Sequence, residues 1–163
     1  MKNKIFVGEF IGSALLVMAI VGSGIMAESL TNDTAVILLA NAVATGAALY
    51  FLIVSISDIS RAHFNPFVTL AMYLSKKIKS QLLPVYFTAQ ILGCLTGVML
   101  ANFFFDYSLI ELSSKSRSGI NVFVSEIIAT FGLIFIIFRT IKGGKVLVAT
   151  SVSYTHLTLP TIR

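Results

Sequence analysis

Charged residues are scarce in this chain. They make up 12% of its 163 residues, against 56% hydrophobic, and the mean hydropathy is +0.92. A soluble domain carries about 25% charged residues. A soluble core of this length could not hide so much apolar surface, whereas lipid needs no polar covering. The composition therefore excludes an ordinary soluble domain. Cysteine is nearly absent: Cys94 stands alone. One cysteine excludes an intramolecular disulfide and a cysteine metal cluster, and its apolar surroundings mark a buried, inert thiol. A cleavable signal is also missing. Met1-Lys2-Asn3-Lys4 leads into an apolar stretch that is long and has no convincing cleavage site, so it reads as a first span. The net charge of +5 is no nucleic-acid signal in such a chain. No nucleic-acid partner, cofactor or metal is expected, and the bilayer is the first partner.

Long apolar runs are plentiful. About 20 apolar residues cross the hydrocarbon core as a helix. Residues 5–27 qualify although they contain Glu9. Residues 35–57 qualify without any charge, and Thr31, Asn32, Asp33 and Thr34 before them are good helix starters. Residues 82–105 form a third run, with Pro84 tolerated in its first turn. Residues 120–138 form a fourth, again with one acid, Glu126. A fifth begins at Val146 and loses its apolar character near Ser153. The domain is expected over 1–152.

The charges between the runs set an orientation. Lys2 and Lys4 precede the first run. Arg61, Lys76, Lys77 and Lys79 lie between the second and third, and Arg139, Lys142 and Lys145 between the fourth and fifth. Glu28 and Asp33 follow the first run without a nearby base. Asp106, Glu111, Lys115 and Arg117 follow the third. Positive residues favour the cytoplasm. A multi-pass protein of the cell membrane with a cytoplasmic N-terminus is expected.

Residues 58–80 do not fit as a span. Their start is too polar, and the apolar middle, about 64–75, covers only about 15 Å as a helix. The segment enters and leaves on one side by the charge pattern. That describes a re-entrant half-helix, allowed only where protein or a water-filled cavity satisfies the non-helical backbone. An internal repeat accompanies it. Glu9, Gly12, Ser13 and Leu16 match Glu126, Ala129, Thr130 and Leu133 in type and spacing. Three crossings separate the copies, which gives the second inverted topology, a common transport architecture with its site at the repeat interface.

Asn65-Pro66 starts the half-helix. Asn is a good N-cap and Pro favours the first helical position. Such a helix aims its unsatisfied N–H groups and positive dipole end into the bilayer centre. The Asn amide oxygen can cap the helix while its NH₂ donates to a molecule in a pore. A neutral solute with an oxygen acceptor suits that arrangement and a cation does not. An ordinary capped helix in a cytoplasmic loop is the bland alternative.

Ser60, Ala62, His63, Phe64, Asn65, Pro66, Val68 and Thr69 resemble the first signature of the aquaporin, or major intrinsic protein, family. The resemblance runs from about Lys4 to Thr150. It implies an all-α membrane protein: an aquaporin-like right-handed helical bundle with a re-entrant half-helix and an incomplete inverted repeat. It implies a passive channel for small uncharged solutes, either water or also glycerol and undissociated metalloid acids. Asn65 would donate to the permeating molecule at the pore centre. The carbonyls of Arg61, Ala62, His63 and Phe64 would form part of a solute ladder. Glu9 and Glu126 would be buried acceptors bracing re-entrant loops. An acid inside a membrane helix is expensive and should face the protein interior in any case. A catalytic carboxylate pair is the weaker reading, because no metal-ligand His spacing or activated nucleophile accompanies them; no enzyme is expected. Gapless alignment back from Asn65 puts Thr45 at the family's outer constriction, where a small polar residue would admit larger neutral solutes; a packing role beside Gly46 is the alternative. The resemblance also suggests a homotetramer.

Three features depart from the family. Phe67 stands where a small residue usually follows Asn-Pro, and Arg61 replaces a usual Gly. A second Asn-Pro half-helix, its constriction Arg and a sixth span do not occur in these 163 residues. Residues 153–163 look like a foreign tail joined to a truncated gene, so no pore role is carried to His156. Gly8 with Gly12, and Gly93 with Gly97, have the spacing for close helix approach, here expected within one chain. A secondary transporter and a non-functional channel fragment are the competing readings.

Overall fold

The computed structural model describes residues 2–110 and 119–158. Among the described residues it is all helix and turn, without a strand. The order is α1 (Lys2–Leu30), α2 (Thr34–Ser60), α3 (Pro66–Leu74), α4 (Leu83–Phe104), α5 (Ile120–Thr140) and α6 (Lys145–Thr158). A 3₁₀ turn, Ser80–Leu82, leads into α4, and another, Ile141–Gly143, follows α5. Among the described residues, four helices are long and apolar enough to cross a membrane: α1, α2, α4 with its leading turn, and α5 with its trailing turn. At 29 residues, α1 is about 44 Å long, more than the hydrocarbon core requires. Glu111, Lys115 and Arg117, used above for orientation, lie outside the described residues, as do residues 159–163 of the expected tail. The first part of that segment continues α6, with Ser153 and Thr155 buried.

Local chemistry sets the helix ends. Asp33 caps α2, its carboxylate accepting from Ala35 N at 2.8 Å and Val36 N at 3.3 Å. Arg61 ends α2 in the left-handed region, at φ 73°. Asn65 caps α3 and Pro66 opens it. The nine residues of α3 reach about 14 Å, too short to cross. The chain returns where it entered: Arg61 Nη1 donates to Lys77 O at 2.8 Å, closing the base of the re-entrant segment.

Glycine governs the packing of α1. Its buried residues Ile5, Gly8, Glu9, Gly12, Ser13 and Leu16 form one helical stripe. On α4, Gly93 and Gly97 lie against the α1 backbone. A Cβ at Gly97 would come within 2.3 Å of Ala14 O, and one at Gly93 within 2.5 Å of Phe10 O. Close backbone approach is the usual use of small residues between membrane helices. Gly8 and Gly12 serve the loop after α2 instead. A Cβ at Gly8 would press on Ser60 Cβ at 2.9 Å, and one at Gly12 would lie 1.9 Å from Phe64 Cε1. All four glycines thus act within the chain.

The outer surface is apolar. Leu39, Phe51, Leu95, Phe103 and Phe131 are each more than half exposed, which suits lipid and not water. Of α5, only Leu133 and Ile137 are buried. Gly97→Val should destabilise the bundle by about 1–3 kcal/mol, because the obstructing atom is backbone. Gly22→Ala, with only the Phe105 ring at 3.4 Å, should be nearly silent. Thermal unfolding in detergent checks this pair; equal melting temperatures would contradict the close α1–α4 approach.

Candidate functional site

The site is built around a buried carboxylate. Glu9 on α1 is fully buried, and four donors converge on it. Oε1 accepts from Ser60 Oγ at 2.6 Å and His63 N at 3.0 Å. Oε2 accepts from Phe64 N at 2.9 Å and Gln90 Nε2 at 2.8 Å. A carboxylate accepts and does not donate, so its two oxygens match these four N–H and O–H donors. The acid thereby fixes the backbone N–H groups of a loop that belongs to no helix.

A second layer braces the same loop. Gln90 Nε2 also donates to Thr69 Oγ1 at 3.0 Å. Thr69 Oγ1 donates to Asn65 O at 3.1 Å and lies 3.1 Å from His63 Nδ1. A threonine hydroxyl has one proton. With that proton on Asn65 O, His63 must carry its own on Nδ1 and donate. Tyr86 OH donates to Ser60 O at 2.6 Å, and its ring stacks on His63 with centroids 4.6 Å apart. Ser60 Oγ accepts from Ala62 N at 3.2 Å.

Arg61, Ala62 and Phe64 all have positive φ, at 73°, 50° and 48°. Non-glycine residues rarely adopt that region, and each such residue costs about 1–3 kcal/mol where the surroundings impose it. Here the Glu9 bonds and the Phe64 ring packed on Gly12 impose it. The consequence concerns the other backbone group. No described residue donates to the carbonyl oxygens of Arg61, Ala62, His63 or Phe64. Asn65 repeats the pattern. Its Oδ1 accepts from Phe67 N at 2.8 Å and Val68 N at 3.4 Å, while Nδ2 donates to no described residue.

A cavity of about 380 Å³ lies beside this loop. Arg61, Ala62, His63, Phe64 and Asn65 all line it. Leu16, Leu49, Ile53, Leu133, Ile137 and Val152 supply apolar walls, while Asp58, Arg61, Lys77 and Lys145 supply its charged lining. The remaining candidates fall elsewhere. Pro66 and Phe67 do not line the cavity; both are exposed, Phe67 to 62%. Thr45 is buried on α2, outside the lining, with no partner for Oγ1 among the described residues.

Glu126 requires a correction. It was expected to be a buried acceptor like Glu9, but it is exposed on α5. The physical reason is that α5 packs inward only through Leu133 and Ile137. The repeat in sequence is therefore not matched by equal burial in this chain. Sequence reasoning also missed Gln90, Tyr86 and the bracing role of Thr69. Gln90 left a usable signal: an amide inside an apolar span should face a polar partner.

A multi-span helical membrane protein with a capped half-helix folded back beside an internal cavity is the class these features define. The chain belongs to the major intrinsic protein family, whose model matches residues 2–157. It is 43% identical over 136 residues to the aquaglyceroporin AqpS of Rhizobium meliloti (strain 1021), covering 83% of this chain and 58% of that one. It is 34% identical over 148 residues to the probable aquaporin TIP2-2 of Oryza sativa subsp. japonica, covering 87% and 58%. The chain thus spans little more than half the length of these relatives. The X-ray structure of the aquaglyceroporin from Plasmodium falciparum superposes with a TM-score of 0.82 at 23% identity, over 96% of this chain and 71% of that one. That likeness establishes the fold.

Glu9→Ala should strand four donors in a dry interior, at a cost of at least about 3 kcal/mol. Glu9→Gln should lie between it and the parent, since the amide keeps one acceptor but sets its NH₂ against other donors. Melting temperatures in detergent check the order; an Ala variant as stable as the parent would contradict the bracing role.

Proposed function

We propose that this chain forms the first half-site of a passive transmembrane channel for small uncharged solutes. One observation carries the reading. Arg61, Ala62, His63, Phe64 and Asn65 line one cavity, and the carbonyl oxygens of the first four and the NH₂ of Asn65 have no partner among the described residues. Unpaired backbone groups at membrane depth are tolerated where they line a water-filled path. A row of acceptors followed by an amide donor suits water and hydroxyl-bearing neutral molecules. A cation would meet the positive end of α3 and the Asn65 donor. Passive flux makes and breaks no covalent bond, so the reading is of a channel and not an enzyme.

The Rhizobium relative's name supports glycerol as well as water among the permeants. Thr45, small and with an unpartnered hydroxyl, supports a wider outer constriction that also passes undissociated metalloid acids. Phe67 is read as meeting the segment opposite α3, where a compensating space is required. The basic end of the bundle supports a cytoplasmic N-terminus in a cell membrane. The family resemblance supports a homotetramer, with the activity belonging to a polypeptide of its relatives' length.

Proteoliposomes carrying the protein extended to that length should shrink and reswell in a glycerol gradient faster than in sucrose. Rates for water and glycerol equal to those of empty liposomes would sink the proposal. Asn65→Asp should depress neutral-solute flux at least about tenfold or admit cations, since it replaces the donor with a charged acceptor. An unchanged solute profile would remove Asn65 from the path. Thr45→Phe should lower glycerol flux several-fold more than water flux, read in the same assay; equal effects on both would leave Thr45 as packing only.

A further inference from the structure

Two connections that are distant in sequence meet at one end of the bundle. Lys145 Nζ pairs with Asp58, and Lys77 Nζ lies 4.6 Å from the centre of the Phe138 ring. Arg61 Nη1 is held by Lys77 O. These contacts draw the α2–α4 connection, with Arg61, Lys76, Lys77 and Lys79, against the end of α5 and start of α6, with Arg139, Lys142 and Lys145. These two connections therefore bring seven basic residues together, at the end where Lys2 and Lys4 also open α1, beside the acid Asp58, which Lys145 already engages. Lys76, Lys79, Arg139 and Lys142 are exposed and have no partner among the described residues.

The backbone of the lysine loop is closed by its own hydrogen bonds. Ser75 N donates to Ala71 O, Lys76 N to Tyr73 O, Lys77 N to Met72 O and Leu82 N to Lys79 O, all between 2.8 and 3.0 Å. Ile78 is buried between its two exposed lysine neighbours. Lys76 is held at φ 57°. Beside it, Leu74 is 69% exposed at the end of α3. The loop thus presents exposed cations on a hydrogen-bonded backbone next to an apolar side chain, the pairing that a phospholipid headgroup and its acyl chain complement.

We propose that this end is a binding surface for anionic phospholipid headgroups, with Lys76, Lys79, Arg139 and Lys142 supplying the unpaired charge. The occupant is an anionic lipid of the adjoining leaflet. A protein ligand is less suited, because the surface lies at the membrane boundary with an exposed Leu74. Each basic residue near an anionic membrane surface contributes a several-fold preference. The inference does not depend on conduction, since it is read by binding.

The test uses the purified chain in mixed micelles, with phosphatidylglycerol competed against phosphatidylcholine and bound lipid quantified by native mass spectrometry. The expected result is a preference for phosphatidylglycerol that falls with added salt. Joint Lys76→Gln, Lys79→Gln, Arg139→Gln and Lys142→Gln changes should reduce that preference by about tenfold or more, with helicity unchanged by circular dichroism. Replacing the three lysines with arginine should preserve it. Should the quadruple variant fail to fold, the Lys76→Gln/Lys79→Gln pair and the salt titration of the parent carry the test. Equal binding of the two lipids, or a preference unchanged in the folded variants, would overturn the proposal. That outcome would leave these charges as determinants of insertion topology alone. Displacement of the lipid by millimolar inorganic phosphate would also overturn it, since the surface would then read free phosphate.

Discussion

The carboxylate of Glu9 is the constraint on which the site depends. A loop inside a membrane must satisfy its backbone without water on every side. Here the N–H groups of His63 and Phe64 are given to one buried acid. With those N–H groups fixed on the acid and Arg61, Ala62 and Phe64 in the left-handed region, the four carbonyls of this cavity-lining loop are left without a protein partner among the described residues. The side chain that breaks the hydrophobic character of the first span thus sets the polarity of the cavity wall. Gln90, Thr69 and Tyr86 extend the same brace to the start of α3 and to the last turn of α2. Three separate stretches of chain, at Glu9, Ser60–Thr69 and Tyr86–Gln90, meet in one hydrogen-bonded set, so the loop can be strained and still well defined.

The glycines make this arrangement sterically possible. Gly93 and Gly97 bring α4 close enough to α1 for Gln90 to reach Glu9. Gly12 leaves the space that the Phe64 ring fills. Close packing, a buried acid and a strained loop are therefore one device. Removing any of the three should loosen the others, because each supplies the geometry the next requires.

Much of this was legible in the sequence. Span positions follow from runs of about 20 apolar residues, and Asn65-Pro66 announces a capped helix by local chemistry alone. Glu9 was readable as inward-facing because a lipid-facing acid is too costly. The partners of Glu9 were not readable, since Gln90 lies 81 positions away and no local rule pairs residues across that distance. The same rule that succeeded for Glu9 failed for Glu126. Burial depends on what packs against a residue, and in this chain little packs against the first turns of α5. The glycine pairs were recognised as contact points, but spacing does not say whether a helix or a loop will arrive. Thr45 and Phe67 illustrate the same limit, because alignment assigns them a register but no neighbours.

On the proposed function, the Glu9-braced loop turns free carbonyls and the Asn65 amide toward a solute path. An experimental structure in lipid, at a resolution that shows water, tests it most directly. Ordered solvent or solute is expected within about 3 Å of the carbonyl oxygens of Arg61, Ala62, His63 and Phe64 and of Asn65 Nδ2. Carbonyls occupied by protein donors, or a dry cavity beside them, would contradict it.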